Sequence, residues 1–175
     1  VVQSDISTLC SFCHHSYFNL TGRADISGHQ LQVFADLYLP VNQNTIPTGE
    51  IASVVNTNLD FRQKKNLSLH IPLDHNFCIS NKREHMRKVA ILSTLDQRLE
   101  MHLFSTEPGL QVYTGQGIKG DGPIGNSGSS YIPFSGVALE PQLWPDAPHH
   151  DAFPSAILLA GNVYRNVSKF TFKQN

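Results

Sequence analysis

The stretch VAILSTLDQRLEMHL, residues 89–103, contains two apolar segments separated by a short polar one. From Arg98 to Leu103 polar and apolar residues alternate strictly, which is the period of a strand with one buried face. Asp96 and Gln97 separate the two segments, and aspartate is a common turn residue because its side chain bonds the nearby backbone. The stretch therefore predicts two antiparallel strands, over 89–95 and 98–103, joined by a tight turn.

The rest of the chain repeats this strand pattern. No window of helical length has a convincing period of 3.6 residues, and the best helical candidate, 81–88, is short and almost entirely polar. Many strands separated by turn signals favour two antiparallel sheets packed as a sandwich. We therefore predict an all-β fold and a single domain over residues 1–175. The further predicted strands cover 31–39, 110–113, 134–140 and 164–172, and the long loops cover 116–130 and 142–154.

The composition is that of a globular domain without a strongly charged surface. Of the 175 residues, 40% are apolar and 15% charged, so the chain can bury a core. A net charge of −1 gives no broad field for nucleic acid or anionic membranes. The basic residues between Lys82 and Lys88 are interrupted by Glu84, which favours a solvated loop over a nucleic-acid surface. No stretch reaches the roughly 20 apolar residues of a membrane-spanning helix, so neither nucleic acid nor a membrane is a predicted partner.

Three cysteines, Cys10, Cys13 and Cys78, bear on metal binding and on the cellular compartment. Cys10 and Cys13 form a C-x-x-C motif followed by His14 and His15, which leaves a small metal site as one interpretation. A zinc site usually needs a second pair of ligands, so three reduced, partly buried thiols are the favoured interpretation. The first residues, VVQSDIST, have no feature of a secretion signal. We therefore predict a cytoplasmic protein without a metal site.

Three clusters place ionisable groups among aromatic residues and prolines: HHSYFNL at 14–20, DHNF at 74–77 and LEPQLWPDAP at 139–148. Sugar sites combine apolar faces for the C–H side of a ring with charged or amide groups for the hydroxyls. Each cluster also has a structural explanation: a histidine that is hydrogen-bonded within the fold, an Asp74 that caps a turn, and a Glu140 at the end of a strand. For each cluster taken alone, the structural explanation is favoured. Nothing in the periodicity shows that the three clusters meet in space.

Seven blocks, in one order, resemble the aldose 1-epimerase (galactose mutarotase) family. The first is similar to the family signature around its catalytic histidine, and the series extends over nearly the whole chain. Such an ordered series is specific, and the chain is identified as resembling the C-terminal portion of a family member. The blocks are HSYFNL (15–20), ADLYLPVN (35–42), IPTGE (46–50), LDFR (59–62), LDHNF (73–77), TEPGLQVYTG (106–115) and SGVALEPQLWPDAP (135–148).

The resemblance implies a large antiparallel β-sandwich and an enzyme that interconverts the α and β anomers of free aldoses such as galactose and glucose. Opening a hemiacetal ring removes a proton from O1 and adds one to the ring oxygen, so it needs a general base and a general acid but no metal or redox cofactor. By motif match, Glu140 is the base and His15 is the acid. The positions that match the rest of the sugar site are Ser16, Tyr17, Gln111 and Asp74, the last of which binds hydroxyls in the family.

The beginning of the chain departs from the family pattern. In the family, blocks with a sugar-binding arginine and a second active-site histidine precede the catalytic histidine, and neither block is found in this sequence. We therefore expect the N-terminal part of the sandwich to be missing, with an exposed apolar face that favours self-association or a partner half. A non-catalytic or degenerate sugar-binding relative is the alternative function.

Pro141 stands directly after the predicted base, where the family usually has threonine. Proline fixes φ, restricts the preceding Glu140 toward extended geometry and removes one backbone donor. An edge position or a strand end would tolerate the proline. Elsewhere it would re-aim the carboxylate of the base.

Overall fold

β-strands make up nearly all the regular structure of the computed structural model, which describes residues 1–121, 124–125, 128 and 130–175. Part of the predicted loop 116–130 lies outside the described residues. The described residues also form two single-turn 3₁₀ helices, at Ile26–Gly28 and Ala147–His149. The strands are β1 (Val2–Gln3), β2 (Thr8–Leu9), β3 (Tyr17–Phe18), β4 (His29–Val33), β5 (Leu37–Tyr38), β6 (Ala52–Ser53), β7 (Lys65–Asn66), β8 (Asp74–Cys78), β9 (Arg87–Thr94), β10 (Leu99–Ser105), β11 (Gly109–Tyr113), β12 (Val137–Gln142), β13 (Ile157–Leu158), β14 (Val163–Tyr164) and β15 (Ser168–Gln174).

Two large antiparallel sheets contain most of these strands. One has five strands in the order β15-β10-β9-β4-β7, and the other has six in the order β3-β12-β11-β8-β5-β6. The hairpin predicted from residues 89–103 is confirmed as β9 and β10 at the centre of the five-stranded sheet, with Met101 opposite Leu92. No helix in the described part of the chain has the length and apolar character that crossing a bilayer requires.

The two large sheets pack face to face and share one apolar core. Leu92 and Met101 of the five-stranded sheet are fully buried in the same cluster as Phe77, Leu110 and Leu139 of the six-stranded sheet. Burying one such side chain contributes about 1.5–3 kcal/mol relative to leaving it in water. Two antiparallel sheets around a shared core form a β-sandwich, which confirms the predicted fold class.

The prediction of one continuous strand over 31–39 is wrong. The chain forms β4 up to Val33, leaves the five-stranded sheet, and resumes as β5 at Leu37 in the six-stranded sheet. Leu37 is exposed and Leu39 is buried in a second apolar cluster, outside the sandwich core. The alternation of apolar residues thus continues across a change of sheet, which the pattern alone does not reveal.

Two further predicted strands have different bounds in the structure. The segment predicted over 134–140 becomes a strand only at Val137 and extends to Gln142 as β12. The segment predicted over 164–172 is divided, because β14 pairs with β1 whereas β15 pairs with β10 in the five-stranded sheet. The chain therefore changes partner strands near Asn166.

The basic segment 82–88 is a largely exposed loop up to Met86, as its composition predicts, but its two arginines make specific contacts. Nε of Arg83 donates to the carboxylate of Glu107 at 2.9 Å, and its guanidinium lies 4.2 Å from the centre of the Tyr164 ring. Arg87 donates to the backbone carbonyl of Glu107 at 3.1 Å. Because these two arginines hold the connection between β10 and β11, they are structural groups rather than part of an open basic surface.

The second apolar cluster covers part of the outer face of the six-stranded sheet. It contains Trp144 and Phe153, whose rings meet edge to face at 5.2 Å, together with Cys10 and Cys78. The indole N–H of Trp144 donates to the carbonyl of Pro108 at 3.1 Å. The polar residues of the sheet lie beside this cluster on the same face.

Exposed apolar side chains are concentrated on and beside the two small sheets, β1 with β14 and β2 with β13. Their side chains are more than half exposed, although large apolar residues are usually buried. The self-association expected from the sequence stays a prediction, and these sheets are where it would occur. The residues are Ile6, Leu9, Ile157, Leu159 and Val163.

Candidate active site

Three neighbouring strands of the six-stranded sheet, β8, β11 and β12, bring polar residues together on its outer face. Gln111 of β11 lies opposite both Asn76 of β8 and Glu140 of β12. In the next row on this face, Tyr113 lies opposite Asp74. Because side chains opposite each other on antiparallel strands share a face and lie about 5 Å apart, these five residues form one polar surface.

The apolar residues of the same strands fix the direction of the polar ones. Leu110 and Leu139 are fully buried in the sandwich core. Successive side chains of a strand point to opposite faces, so Gln111 and Glu140, each one residue further along, point outward. The packing that forms the sandwich therefore also orients the site.

His15 approaches this surface from the edge of the sheet. Shortly after it, β3 pairs with β12 so that Tyr17 lies opposite Ala138. The side-chain amide of Asn19 then donates to the carbonyl of Ser135 at 2.9 Å. These contacts hold the segment that carries His15 beside the strand that carries Glu140.

A glycine permits the close packing at this edge. Gly115 has a φ of +72°, a conformation that residues other than glycine rarely adopt. A Cβ at this position would also lie 2.8 Å from the carbonyl oxygen of Gly136 and 3.6 Å from the ring of Tyr17. The loop after β11 can therefore pass directly beside β3 only with glycine here.

A cleft of about 340 Å³ opens over the polar surface. Its volume is at the lower end of the range for small-molecule pockets. An apolar rim comes from the segment between Leu39 and Pro47, which a bridge from Val41 to Pro47 closes into a loop. The lining residues are His15, Leu39, Val41, Thr45, Pro47, Asp74, Asn76, Gln111, Tyr113, Glu140, Gln142 and Pro145.

His15 and Glu140 are in direct contact in this cleft. Nε2 of His15 lies 3.3 Å from Oε1 of Glu140, and the two side chains are 47% and 7% exposed. Burial raises the pKa of Glu140 above the ordinary glutamate value, and the negative charge of Asp74 acts in the same direction. The positive charge of His15 and a hydrogen bond from Cys13 oppose this rise in pKa. The site thus pairs a shielded carboxyl group with an accessible imidazole.

A thiol donates a hydrogen bond to the second oxygen of the Glu140 carboxylate. Sγ of Cys13 donates to Oε2 at 3.4 Å. Cys13 is an exposed residue, but partial burial of its thiol, followed by the hydrogen bond to Glu140 and its charge, raises its pKa to about 11, so the thiol is protonated at neutral pH. Cys10, the other half of the C-x-x-C motif, lies instead in the second apolar cluster. Over the described ranges, no three His, Cys, Asp or Glu side chains are arranged to hold a metal ion.

Asp74 and Gln111 form a hydrogen-bonded pair across two strands. Nε2 of Gln111 donates to Oδ1 of Asp74 at 2.7 Å. Oε1 of Gln111 and Oδ1 of Asn76 are buried and accept no hydrogen bond from the described residues. Because buried acceptors normally have a partner, these two oxygens are suited to accept hydrogen bonds from the hydroxyl groups of a ligand.

The structure brings four of the six predicted site residues together in the cleft: His15, Asp74, Gln111 and Glu140. Tyr17 lies beside His15, with the two ring centres 5.1 Å apart, and is not among the lining residues. Burial is the main cause of a raised pKa at Tyr17. The hydroxyl of Ser16 contacts Nε2 of His14 at 3.1 Å and lies outside the cleft lining.

Pro141 lies where a strand tolerates it. The pairing of β3 with β12 covers only Val137 and Ala138, so Pro141 is beyond it. The carbonyl of Pro141 accepts a hydrogen bond from the side chain of Asn166 at 3.2 Å, on the side away from β11. The N–H and C=O of a strand residue point to the same side, so the proline removes no donor from the ladder with β11.

Among the lining residues that were not predicted, three lie on the same strands as predicted ones: Asn76, Tyr113 and Gln142. Each is two positions from a predicted residue on the same strand: Asp74, Gln111 or Glu140. Since a strand has a period of two, extending the alternation from the predicted residues was sufficient to find them. The contact between Cys13 and Glu140 had no such signal.

The chain is similar in sequence to galactose mutarotases. Human galactose mutarotase is 36% identical over 179 residues, which covers 97% of this chain and 52% of that protein. Aldose 1-epimerase from Escherichia coli (strain K12) is 31% identical over 172 residues, or 91% of this chain and 49% of that protein. The chain therefore spans about half the length of the curated relatives that it matches.

Solved structures and a family model give the same result. The GalM/aldose epimerase homologue from C. elegans superposes with a TM-score of 0.87 at 26% identity, over 98% of this chain and 54% of that one. Galactose 1-epimerase from Lactobacillus acidophilus gives a TM-score of 0.79 at 26% identity, over 98% and 51%. The family model described as aldose 1-epimerase matches residues 1–171. With this match and these relatives, the chain belongs to the aldose 1-epimerase family.

Proposed function

We propose that the chain acts as an aldose 1-epimerase, interconverting the α and β anomers of free aldoses such as galactose and glucose. The observation that carries the proposal is the contact of His15 with Glu140, 3.3 Å apart in a cleft that Asp74 and Gln111 also line. A carboxylate and an imidazole supply the general base and the general acid that ring opening needs. The relatives named galactose mutarotase and aldose 1-epimerase support the same activity.

Ring opening uses both groups at once. The carboxylate of Glu140 takes the proton of O1, and the protonated His15 gives a proton to the ring oxygen. The bond between C1 and the ring oxygen breaks, its electron pair stays on the ring oxygen, and the O1 electrons form the carbonyl of the open aldehyde. A rotation about C1–C2 then presents the other face of the carbonyl.

Ring closure reverses these transfers. His15 takes back the proton of the former ring hydroxyl, whose oxygen attacks the other face of C1, and Glu140 returns its proton to O1. The catalyst therefore ends each turnover in the protonation state in which it began. No oxidation, reduction or external group enters the balance.

The surroundings of the pair favour this division of roles. Burial raises the pKa of Glu140, which makes its carboxylate a stronger base than an exposed one. The side chain of His15 is about half exposed and can exchange its proton with solvent between turnovers. In this proposal the C1 edge of the sugar enters between the two groups and replaces their mutual contact.

The remaining polar residues are assigned to substrate binding. Asp74 and Gln111 accept hydrogen bonds from sugar hydroxyls, since Oε1 of Gln111 is a buried acceptor without a partner among the described residues. Tyr17 packs against the ring of His15 and helps to orient it. Ser16 contacts His14, so its effect on the site is indirect.

Exchange between anomers, followed by proton NMR of the anomeric protons, tests the proposal. We expect the chain to accelerate exchange for galactose and for glucose, and the accelerated rate to scale with protein concentration. Methyl α-D-galactoside is the matched control sugar, because its O1 carries no proton and its ring cannot open by this route. Unchanged exchange for both free sugars would contradict the proposal.

A cytoplasmic location is the second part of this proposal. All three cysteines are free thiols in the described fold. Free thiols are typical of reducing compartments. Fractionation of cells that express the chain tests the assignment, and recovery in a secreted or membrane fraction would contradict it.

A further inference from the structure

We propose that Cys13 is a positioning residue for Glu140: its S–H holds one carboxylate oxygen and leaves the other to face the cleft. The inference rests on the proposed role of Glu140 as the base. Oε2 of Glu140 accepts from Cys13 at 3.4 Å, whereas Oε1 contacts His15 at 3.3 Å. The two oxygens therefore have different partners and different tasks.

The thiol acts from outside the cleft. His15 and Glu140 are lining residues, but Cys13 is not. A sugar in the cleft would meet Oε1 and the imidazole without touching Sγ. Cys13 thus fixes the rotation of the carboxylate and its proton affinity rather than reacting itself.

The backbone on both sides of this contact is anchored. The Phe12 amide donates to the Tyr164 hydroxyl at 3.1 Å. The side-chain amide of Asn166 donates to the Phe12 carbonyl at 2.8 Å and to the Pro141 carbonyl at 3.2 Å. One amide therefore joins the residue before Cys13 to the residue after Glu140. This clamp, formed by Asn166, holds the thiol and the carboxylate in register.

The thiol also changes the balance of charge at the base. The titratable groups that face Glu140 are Cys13, His15, Asp74 and Tyr17. A hydrogen bond to the ionised carboxylate stabilises that form, so the Cys13 contact lowers the pKa of Glu140 against the effect of burial. Removing the thiol should raise the pKa of Glu140. The acid limb of the pH–rate profile, where the rate falls as Glu140 becomes protonated, should then move to higher pH.

The first test compares Cys13→Ala with Cys13→Ser over a range of pH. For Cys13→Ala we expect a lower rate and an acid limb shifted upward by roughly one pH unit, the value of one charge-assisted hydrogen bond. Cys13→Ser keeps a donor and should restore the limb toward its original position. Cys10→Ala is the matched control, since that thiol lies in the second apolar cluster and should leave the limb unchanged. An unshifted limb in Cys13→Ala would overturn the proposal.

The second test does not depend on turnover. The carboxylate of Glu140 contributes to raising the pKa of Cys13 to about 11. We therefore expect Glu140→Gln to lower this pKa, measured as the pH dependence of Cys13 alkylation resolved by peptide mass spectrometry. An unchanged titration would overturn the contact. The two proposals can fail separately. If the unaltered chain does not interconvert anomers but Glu140→Gln still lowers the pKa of Cys13, the proposed function is wrong and the contact between Cys13 and Glu140 is supported.

Asn166→Ala tests the clamp. Loss of its two hydrogen bonds should free the Cys13 segment, speed Cys13 alkylation and lower the rate constant more than the affinity for sugar. If Asn166→Ala changes only the thermal stability, and neither the alkylation rate nor the pH–rate profile, then Asn166 is a structural residue that does not position Cys13.

Discussion

The two faces of the strands β8, β11 and β12 differ in what they demand of the sequence. The inner face carries Phe77, Leu110 and Leu139, each fully buried against the opposite sheet. The outer face of the same strands carries the polar row of Asn76, Gln111 and Glu140. Neighbouring positions on one strand therefore have separate roles: packing on the inner face and, in the proposed function, chemistry on the outer face.

The difference between the faces shows that packing on one side of a strand orients the side chains on the other side. Apolar burial fixes the inner side chains, and the period of the strand then fixes the outer ones. A substitution on the inner face should cost stability, whereas one on the outer face should cost activity.

The largest effect is expected for Glu140→Gln. Loss of the base should lower the mutarotation rate roughly 10²–10⁴-fold, the usual contribution of a general acid or base. The melting temperature should change little, because the amide has the same shape and the core is untouched. Rate and melting curves measured on one preparation check both parts.

The matched variant one position away is Leu139→Ala. It removes a fully buried side chain from the sandwich core and should lower the free energy of unfolding by about 2–5 kcal/mol. The rate per folded molecule should be retained. Equal losses of stability in Leu139→Ala and Glu140→Gln would contradict the separate roles of the two faces.

A second buried glutamate, Glu107, should behave as a structural charge. Its carboxylate accepts a hydrogen bond from Arg83 at 2.9 Å and is fully buried. Arg83→Met would leave this charge unpaired and should cost about 3 kcal/mol in unfolding free energy. Chemical denaturation measures the loss.

Adding Glu107→Gln to Arg83→Met should recover part of the lost stability, because it removes the uncompensated charge. The mutarotation rate per folded molecule should stay unchanged in both variants. A rate loss as large as that of Glu140→Gln would show that the division between structural and site glutamates is wrong.

Activity should fall in acid as Glu140 becomes protonated, at a pH above the ordinary glutamate value because burial raises its pKa. The charge of Asp74 raises that pKa further, so Asp74→Asn should move the acid limb to lower pH, by less than about one unit. Asp36→Asn is the control, since Asp36 pairs with Arg62 and does not line the cleft. A limb that moves to higher pH in Asp74→Asn would contradict the assigned sign.

The smallest effect on activity is expected on the small sheets. Val163→Lys places a charge on β14 among exposed apolar residues and should weaken self-association. Sedimentation velocity measures the change, and the rate should be unaltered. A chain that is monomeric at all concentrations before substitution would contradict the expected association.

Alternation predicted the central hairpin and the sandwich, because both depend on a local period. It did not reveal that the chain changes sheets after Val33, since the apolar pattern continues through the crossing. The contacts of the two arginines in segment 82–88 were not predicted, for a related reason. Composition does not show that a buried carboxylate, Glu107, is present to pair with Arg83.

The site residues were predicted from motifs resembling a family rather than from spacing. His15 and Glu140 are far apart in sequence, and the pairing of β3 with β12, with the hydrogen bond from Asn19, brings them together. The Cys13 contact with Glu140 joins residues 127 positions apart and has no local pattern at all. The alternation along a strand therefore predicts the face of the sheet on which a residue lies. It does not predict which distant residues meet across the cleft, because that depends on how the strands pair.

Polarimetry of freshly dissolved α-D-galactose tests the central claim most directly. The unaltered chain and Glu140→Gln would be compared at equal concentration against the uncatalysed change in rotation. We expect the unaltered chain to accelerate the change in proportion to its concentration and the variant to follow the uncatalysed rate. Equal acceleration by both proteins, or none by the unaltered chain, would contradict the claim that the outer face of these strands carries mutarotation.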